Sequence, residues 1–433
     1  MTGAIVIGGG LAGLAAATAL AQAGHQVQLF EAKPFPGGRA TSYRFPCGDG
    51  EQIEIDNCQH ILLKCCVNLL DFYRRLGVSH HIEFHREFYF LEPGGRMSTL
   101  RRGALPAPFH FAESFLRAAY LSFTDKLALS RALAALWWER TRRPGLDNLS
   151  MADWLREKRQ PPRLVERFWR QVLVSAINVE LPEMAASHGF QVLWLGFLAA
   201  ADSYEMGISQ VPLAHLYQAA LPHFQPHFRQ PVLELDPLRG IRTASGWHAA
   251  RVYISSLPAR ALSAIAPQLD IPASQFAGSP IIGIHLWFDR PVTALPHGAL
   301  LDRTLQWFYA KDGGRYLSVV VSAADPLVKM PQEDIVALAL RELPEFLPAL
   351  PAATLLRSRV VKEVHATFRA RPGLASLRPD PPTRYPNLFL AGDWTNSGWP
   401  STMEGAVRSG YRAAEAAAQA LGRPQSFLLP DIA

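Results

Sequence analysis

The chain has 433 residues, 49% hydrophobic and only 18% charged, which supplies enough apolar material for two or more domains and excludes a disordered chain. Its net charge of +6 is mild for this length and no long basic run occurs, which argues against nucleic acid as a partner and leaves room only for a weak attraction to anionic lipid surfaces. No uninterrupted apolar stretch reaches about 18 residues, so a membrane-spanning helix is not expected.

The opening reads as strand, turn, helix and strand. Ala4–Ile7 is a short apolar run, and Leu11–Ala23 is rich in Ala and Leu. Gly24 sits where a helix-ending glycine belongs, and Val27–Phe30 precedes Glu31. A signal peptide is not expected, because no basic segment precedes this run and it leads straight into a strand. Gly8, Gly10 and Gly13 fall at the first strand–helix junction in GxGxxG spacing. The first glycine permits the tight turn, the second lets backbone approach a pyrophosphate, and the third lets helix and strand pack closely. Glu31, at the end of the second strand, can accept hydrogen bonds from both ribose hydroxyls. These features establish a dinucleotide without choosing between NAD and FAD.

Cys47, Cys58, Cys65 and Cys66 lie within the first 70 residues and show no zinc-ligand spacing. They read as reduced thiols of a cytoplasmic protein. Residues 70 to 205 read as mostly helical, with the clearest pieces at 71–76, 111–123, 125–140 and 151–157. After Val211 the pattern changes. Strands are expected at 231–235, 250–255, 281–288, 316–321 and 359–368, with a hairpin turn at Asp312-Gly313-Gly314 and a short helix at 332–340. Leu388–Ala391 is a last strand, followed by a turn, a helix over 402–421 and an irregular tail.

Two further segments favour FAD. Gly37-Gly38-Arg39-Ala40 can bring backbone amides and a guanidinium to the same pyrophosphate. Gly392-Asp393, between a strand and a helix far along the chain, can hold a ribityl hydroxyl. Together GGGLAGL, FEA, GGRA, DNCQH (56–60) and AGDWTNSGWPSTMEGAVRSG (391–410) resemble the flavin-containing amine oxidase and carotenoid desaturase superfamily. Within it the chain is most similar to the squalene-associated desaturase-like enzymes, the hydroxysqualene dehydroxylases. The likeness covers nearly the whole chain and is most specific at 56–77 and in the C-terminal segment. It departs at Cys58, where related sequences usually have glycine.

The resemblance implies an α/β fold: a Rossmann-like FAD-binding domain (GR2-type) with an inserted α+β substrate domain. The FAD-binding domain is expected over 1–72, 206–270 and 385–425, the substrate domain over 73–205 and 271–384, and the tail over 426–433. It further implies cofactor contacts from Gly8, Gly10, Leu11, Ala12, Gly13, Glu31, Ala32, Gly38, Arg39, Ala40, Gln59, His60, Val232, Gly392, Asp393, Met403 and Glu404. Candidates for catalysis are His60, which can protonate a departing hydroxyl, with Gln59 beside it and Trp399, whose face can stabilise a cation. The implied reaction converts hydroxysqualene to squalene with hydride from reduced flavin, electrons coming from NAD(P)H or a reductase. A carotenoid or phytoene desaturase, an amine oxidase proper and a FAD-less escort module stay as alternatives. The complete set Gly8, Gly10, Gly13, Glu31, Arg39 and Asp393 speaks against the last. Aromatic residues Phe109, Phe111, Phe115, Tyr120, Phe123, Trp137 and Trp138, and the run 189–201, read as core, tunnel wall or a peripheral membrane face, the last suggested by Arg101, Arg102, Arg117, Lys126 and Arg131 nearby.

Overall fold

The computed structural model describes residues 2–47 and 50–432; Met1, and Ala433 of the expected tail, lie outside them. Five parallel strands form the first sheet, in the order Gln225–His227, Val27–Phe30, Thr2–Ile7, Ala250–Ser255 and Leu388–Leu390. Helix Leu11–Gln22 follows the first strand, and helix Met403–Ala420 packs directly on it. The approach is so close that a Cβ at Gly410 would stand 2.2 Å from the Ala12 carbonyl oxygen. Alanines fill the first helix because only a methyl fits between the sheet and the last helix; Ala15, Ala16, Ala17 and Ala19 are wholly buried.

A seven-stranded sheet stands apart from the first. Its order is Leu355–Phe368, Gly278–Phe288, Tyr316–Ser322, Trp307–Lys311, His297–Leu300, Glu87–Leu91 and Met97–Arg101, antiparallel except where 297–300 meets 87–91. Its alternating apolar residues, including Ile282, Ile284, Leu317 and Val319, close onto helix Gln332–Glu342. The Asp312–Gly314 turn joins two of its strands as expected.

Three expectations are corrected. Residues 82–101 are not helical: Ile82–His85, Glu87–Leu91 and Met97–Arg101 are strands, because these aromatic, alternating segments find partners far along the chain. The 111–123 helix is only Ala112–Arg117, broken at Ala118, whose ψ of 108° is extended; a new helix, Phe123–Glu139, starts on a Ser122–Asp125 capping box. Val232 lies outside a strand, the ladder there being Glu234–Asp236. The tail has no regular structure, yet Phe427 is buried.

The helical region meets the seven-stranded sheet at Asn178, which ends helix Gln171–Ile177 in a left-handed conformation (φ 60°). Its Nδ2 donates to the Ser279 carbonyl and the Thr367 hydroxyl, and its Oδ1 accepts from the Ala323 amide at 2.6 Å. Asn178→Ala is expected to cost about 2–4 kcal/mol, by leaving buried backbone groups unpaired. Urea unfolding of the holoprotein measures this; a loss under about 0.5 kcal/mol would deny the joint that role.

Candidate active site

The glycine turn is shaped for a ligand rather than for packing alone. A Cβ at Gly13 would stand 2.0 Å from the Gly8 carbonyl oxygen, so helix and strand meet only through glycine. A Cβ at Gly10 would touch nothing nearer than Gly38 Cα at 3.8 Å. Gly10 is therefore not demanded by protein neighbours, and the room beside it suits a phosphate at the start of the helix. Leu11 and Ala12 form that helix start. Gly37 donates its amide to the Gly9 carbonyl, which brings Gly38, Arg39 and Ala40 to the same turn.

Glu31 ends its strand beside the turn. Its Oε2 accepts from the Gly9 amide at 2.6 Å and its Oε1 from the Lys33 amide at 2.7 Å, so the carboxylate is held in place and keeps lone pairs for two ribose hydroxyls. Ala32 is exposed next to it. The segment carrying Val232 is tied to this edge, since Gln230 donates its amide to the Glu31 carbonyl.

From the opposite end of the chain, Gly392 turns with φ 116° and its amide donates to the Ser409 hydroxyl. Asp393 behind it is buried and ion-pairs with Arg39; Ser401 donates to its other oxygen. Burial alone would raise this carboxyl, but Arg39 and Ser401 outweigh it and hold it below the usual carboxylate range. Arg378, which sequence reasoning missed, lies buried under the same turn. Its Nη2 donates to the Asp393 carbonyl at 2.9 Å and to the Ser397 hydroxyl at 3.1 Å, and burial lowers it to about 10. A glycine cradle, a fixed acidic residue and this charged turn fit the pyrophosphate, ribose and ribityl parts of FAD.

Met403 and Glu404 open the last helix, capped by the Thr402 side chain. The Glu404 carboxylate turns away from any cofactor role for its side chain. It accepts from the Asn68 and Leu69 amides and from Asn68 Nδ2, capping helix Val67–Arg75. Burial raises its pKa against those bonds. Only backbone amides at this helix start are left to face a flavin.

The DNCQH segment links the two parts of the molecule. The Asn57 Nδ2 donates to the Arg39 carbonyl and its Oδ1 accepts from the Thr41 amide, which fixes the amide orientation. His60 Nε2 lies 2.9 Å from that Oδ1, so the proton sits on Nε2 and Nδ1 is the nitrogen open to exchange. Burial lowers the His60 pKa; Asp56 and Glu363 oppose the shift and Lys311 adds to it. Gln59 folds its amide onto the His60 carbonyl. On the far side the loop presses on the seven-stranded sheet, where a Cβ at Gly283 would meet the Asn57 carbonyl at 2.8 Å and Cys58 Cβ at 3.3 Å. Cys58 is thus packed against a glycine, and burial pushes its thiol up so that it stays neutral. Two positions on, His285 Nδ1 bonds the Tyr316 hydroxyl at 2.7 Å, and burial brings this imidazole down to about 3. A histidine on the buried face of the strand 281–288 was the signal for it. Trp399 packs with Cys65 and Leu195, whereas Trp394 spends its N–H on the Leu257 carbonyl.

Removing the Glu31 side chain is expected to weaken FAD retention by about 1.5–3 kcal/mol, roughly 10- to 150-fold in Kd. Flavin release after dilution measures it, and unaltered release would remove Glu31 from the site. The pattern of flavin containing amine oxidoreductases matches residues 11–418. The chain is 30% identical to the hydroxysqualene dehydroxylase of Rhodopseudomonas palustris, over 95% of this chain and 97% of that one. It is 27% identical to the probable zeta-carotene desaturase of Synechococcus elongatus, over 96% and 98%. Cyclohexylamine oxidase from Brevibacterium oxydans has the same fold, with a TM-score of 0.69 at 18% identity over 98% of this chain and all of that one. The chain belongs to the flavin-containing amine oxidoreductase family and is an FAD-dependent oxidoreductase.

Proposed function

We propose that the chain removes the hydroxyl group of hydroxysqualene reductively, giving squalene and water. The observation that carries this reading is that His60 Nε2 is fixed by Asn57, whose side chain binds the Arg39 carbonyl and whose own carbonyl lies against Gly283 of the seven-stranded sheet, which leaves Nδ1 to exchange a proton. The likeness to hydroxysqualene dehydroxylases over nearly the full chain supports it.

FAD bound at the Gly8–Gly13 turn and Glu31 would, in its reduced form, supply the hydride that takes the place of the hydroxyl. The chain's own task is the proton. His60 Nδ1 protonates the departing oxygen, the C–O bond breaks to release water, and the allylic cation left behind accepts the hydride at carbon. Delocalisation stabilises that cation, so modest acid help suffices. Phe197, Tyr204 and Trp307 pack around Phe88, an aromatic cluster of the kind that would suit a hydrocarbon and exclude water. NAD(P)H or a reductase would be the source of the reducing electrons. With chemically reduced flavin under anaerobic conditions, squalene is expected from hydroxysqualene. Conjugated double bonds formed in phytoene by the oxidised protein would instead assign the chain to the desaturases, a reading favoured by its likeness to zeta-carotene desaturases.

His60→Ala is expected to retain FAD and to slow turnover by a factor on the order of 10². Because burial lowers the His60 pKa, the imidazolium form exists only below a value under 6.5, and kcat should fall as pH rises through it. A pH profile that is the same for the wild type and His60→Ala would assign the residue to structure.

The protein also meets the cytoplasmic face of a membrane in this reading. No helix among the described residues is long and apolar enough to cross one. Helix Phe123–Glu139 buries Leu129, Ala132 and Leu136, yet on its opposite side exposes Phe123, Leu127, Trp137 and Trp138. Phe109 and Leu116 nearby are also exposed, and Arg142 stacks on the Trp138 ring. A stripe of this kind flanked by Arg101, Arg117 and Arg131 suits an anionic lipid surface. The protein should float with anionic vesicles, and Phe123→Ser with Trp138→Ser should abolish flotation without loss of flavin. Wild-type protein left at the bottom of the gradient would end the membrane proposal.

A further inference from the structure

We infer that residues 426–432 act as a strap that positions the flavin-facing turn 397–404, with Asp431 as the positioning residue. The inference rests on the reading that this turn faces the flavin.

The strap is anchored along its length. Glu415 on the last helix accepts from the Phe427 and Leu428 amides at 2.7 and 2.8 Å. Phe427 is buried, with the Arg75 guanidinium over its ring. The Asn68 side chain pairs with the Leu429 backbone in both directions, receiving its amide and donating to its carbonyl. Asn68 is the same residue that meets the Glu404 carboxylate, so the strap and the start of the last helix share one post.

Asp431 then reaches the turn itself. One oxygen accepts from Trp399 Nε1 at 3.0 Å and from Arg408 Nη1 at 2.9 Å. Arg408 is almost wholly buried; it donates through Nε to the Ser397 carbonyl and stands 3.6 Å from Glu404. Its guanidinium needs a second negative partner, because Glu404 already serves helix Val67–Arg75. Asp431 is that partner. It thereby holds Trp399 within the turn and Arg408 on the helix that follows it, and Ile432 packs against the Trp399 cluster. The arrangement acts on Trp399 by direction: the indole N–H points at the strap, which sets how the ring lies relative to Cys65 and Leu195.

The test compares Asp431→Ala, Trp399→Phe and the double variant, each as full-chain holoprotein, through the visible flavin spectrum and the rate of FAD release. Both single variants should shift the flavin bands and speed release, by about tenfold for Asp431→Ala, as loss of a charge-assisted bond implies. The double variant should release FAD no faster than the faster single one, since the bond lost in Trp399→Phe is already lost in Asp431→Ala. An altered spectrum in Trp399→Phe with a wild-type spectrum in Asp431→Ala overturns the strap while keeping the turn at the flavin. Additive effects overturn the route through Trp399. A wild-type spectrum in Trp399→Phe overturns the placement of the turn, and the inference with it. Retained FAD in all three, with product formation lost only in His60→Ala, would leave the proposed reaction standing while overturning the strap.

Discussion

The pairing of Arg39 with Asp393 joins positions 354 residues apart, and the rest of the site is built around it. A carboxylate as buried as Asp393 costs several kcal/mol unless positive and hydrogen-bonding partners meet it. Arg39, Ser401 and the nearby Arg378 meet that requirement. None of them can do so unless strand Leu388–Leu390 lies beside Ala250–Ser255, and that strand beside Thr2–Ile7. Parallel strands open their carboxyl ends on one edge, where the glycine turn, Glu31 and Gly392 all emerge. The site is therefore a product of sheet order.

The same rule of matched charges governs the last helix. Glu404 would be a buried anion with a raised pKa, but the amides of helix Val67–Arg75 surround it. Arg408 would be a buried cation, but Glu404 and Asp431 flank it. Each buried charge binds a segment distant in sequence, so the polar groups under the turn set its position more strictly than apolar packing alone would. Apolar contacts there tolerate small shifts; charge-assisted bonds do so far less.

Local chemistry was legible in the sequence wherever the constraint itself is local. Gly13 must be glycine because of a carbonyl five positions earlier, and Glu31 stands at the end of a strand whose bounds follow from Val27–Phe30. Gly392-Asp393 could be read because a turn between strand and helix has its own pattern. Arg378 could not, since nothing in its Pro-rich surroundings reveals that it folds beneath Ser397. The strands at 82–101 are not legible in the sequence, because aromatic runs suit either state until a partner strand is known, and their partners lie at 206–209 and 297–300. The sequence suggests a cofactor role for the helix start at Met403 and Glu404 through backbone amides, but it does not reveal that the Glu404 side chain answers an orphaned helix start at 67–69.

Asn57 shows how cofactor binding and proton chemistry become one problem. Its side chain binds the Arg39 carbonyl and the Thr41 amide in the Gly37–Thr41 loop, and the same oxygen fixes the proton on His60 Nε2. A shift in the Arg39 loop therefore moves the His60 ring as well. The carbonyl of Asn57 in turn presses on Gly283, where any side chain would collide with it. The His60 ring is thus referenced through one residue, Asn57, to the 39–41 loop and to the seven-stranded sheet. Its lowered pKa reflects burial, which outweighs the opposing charges of Asp56 and Glu363. Under the proposed function, such a group would be a strong acid when charged, and the leaving group of an allylic alcohol would need only brief protonation to give a delocalised cation.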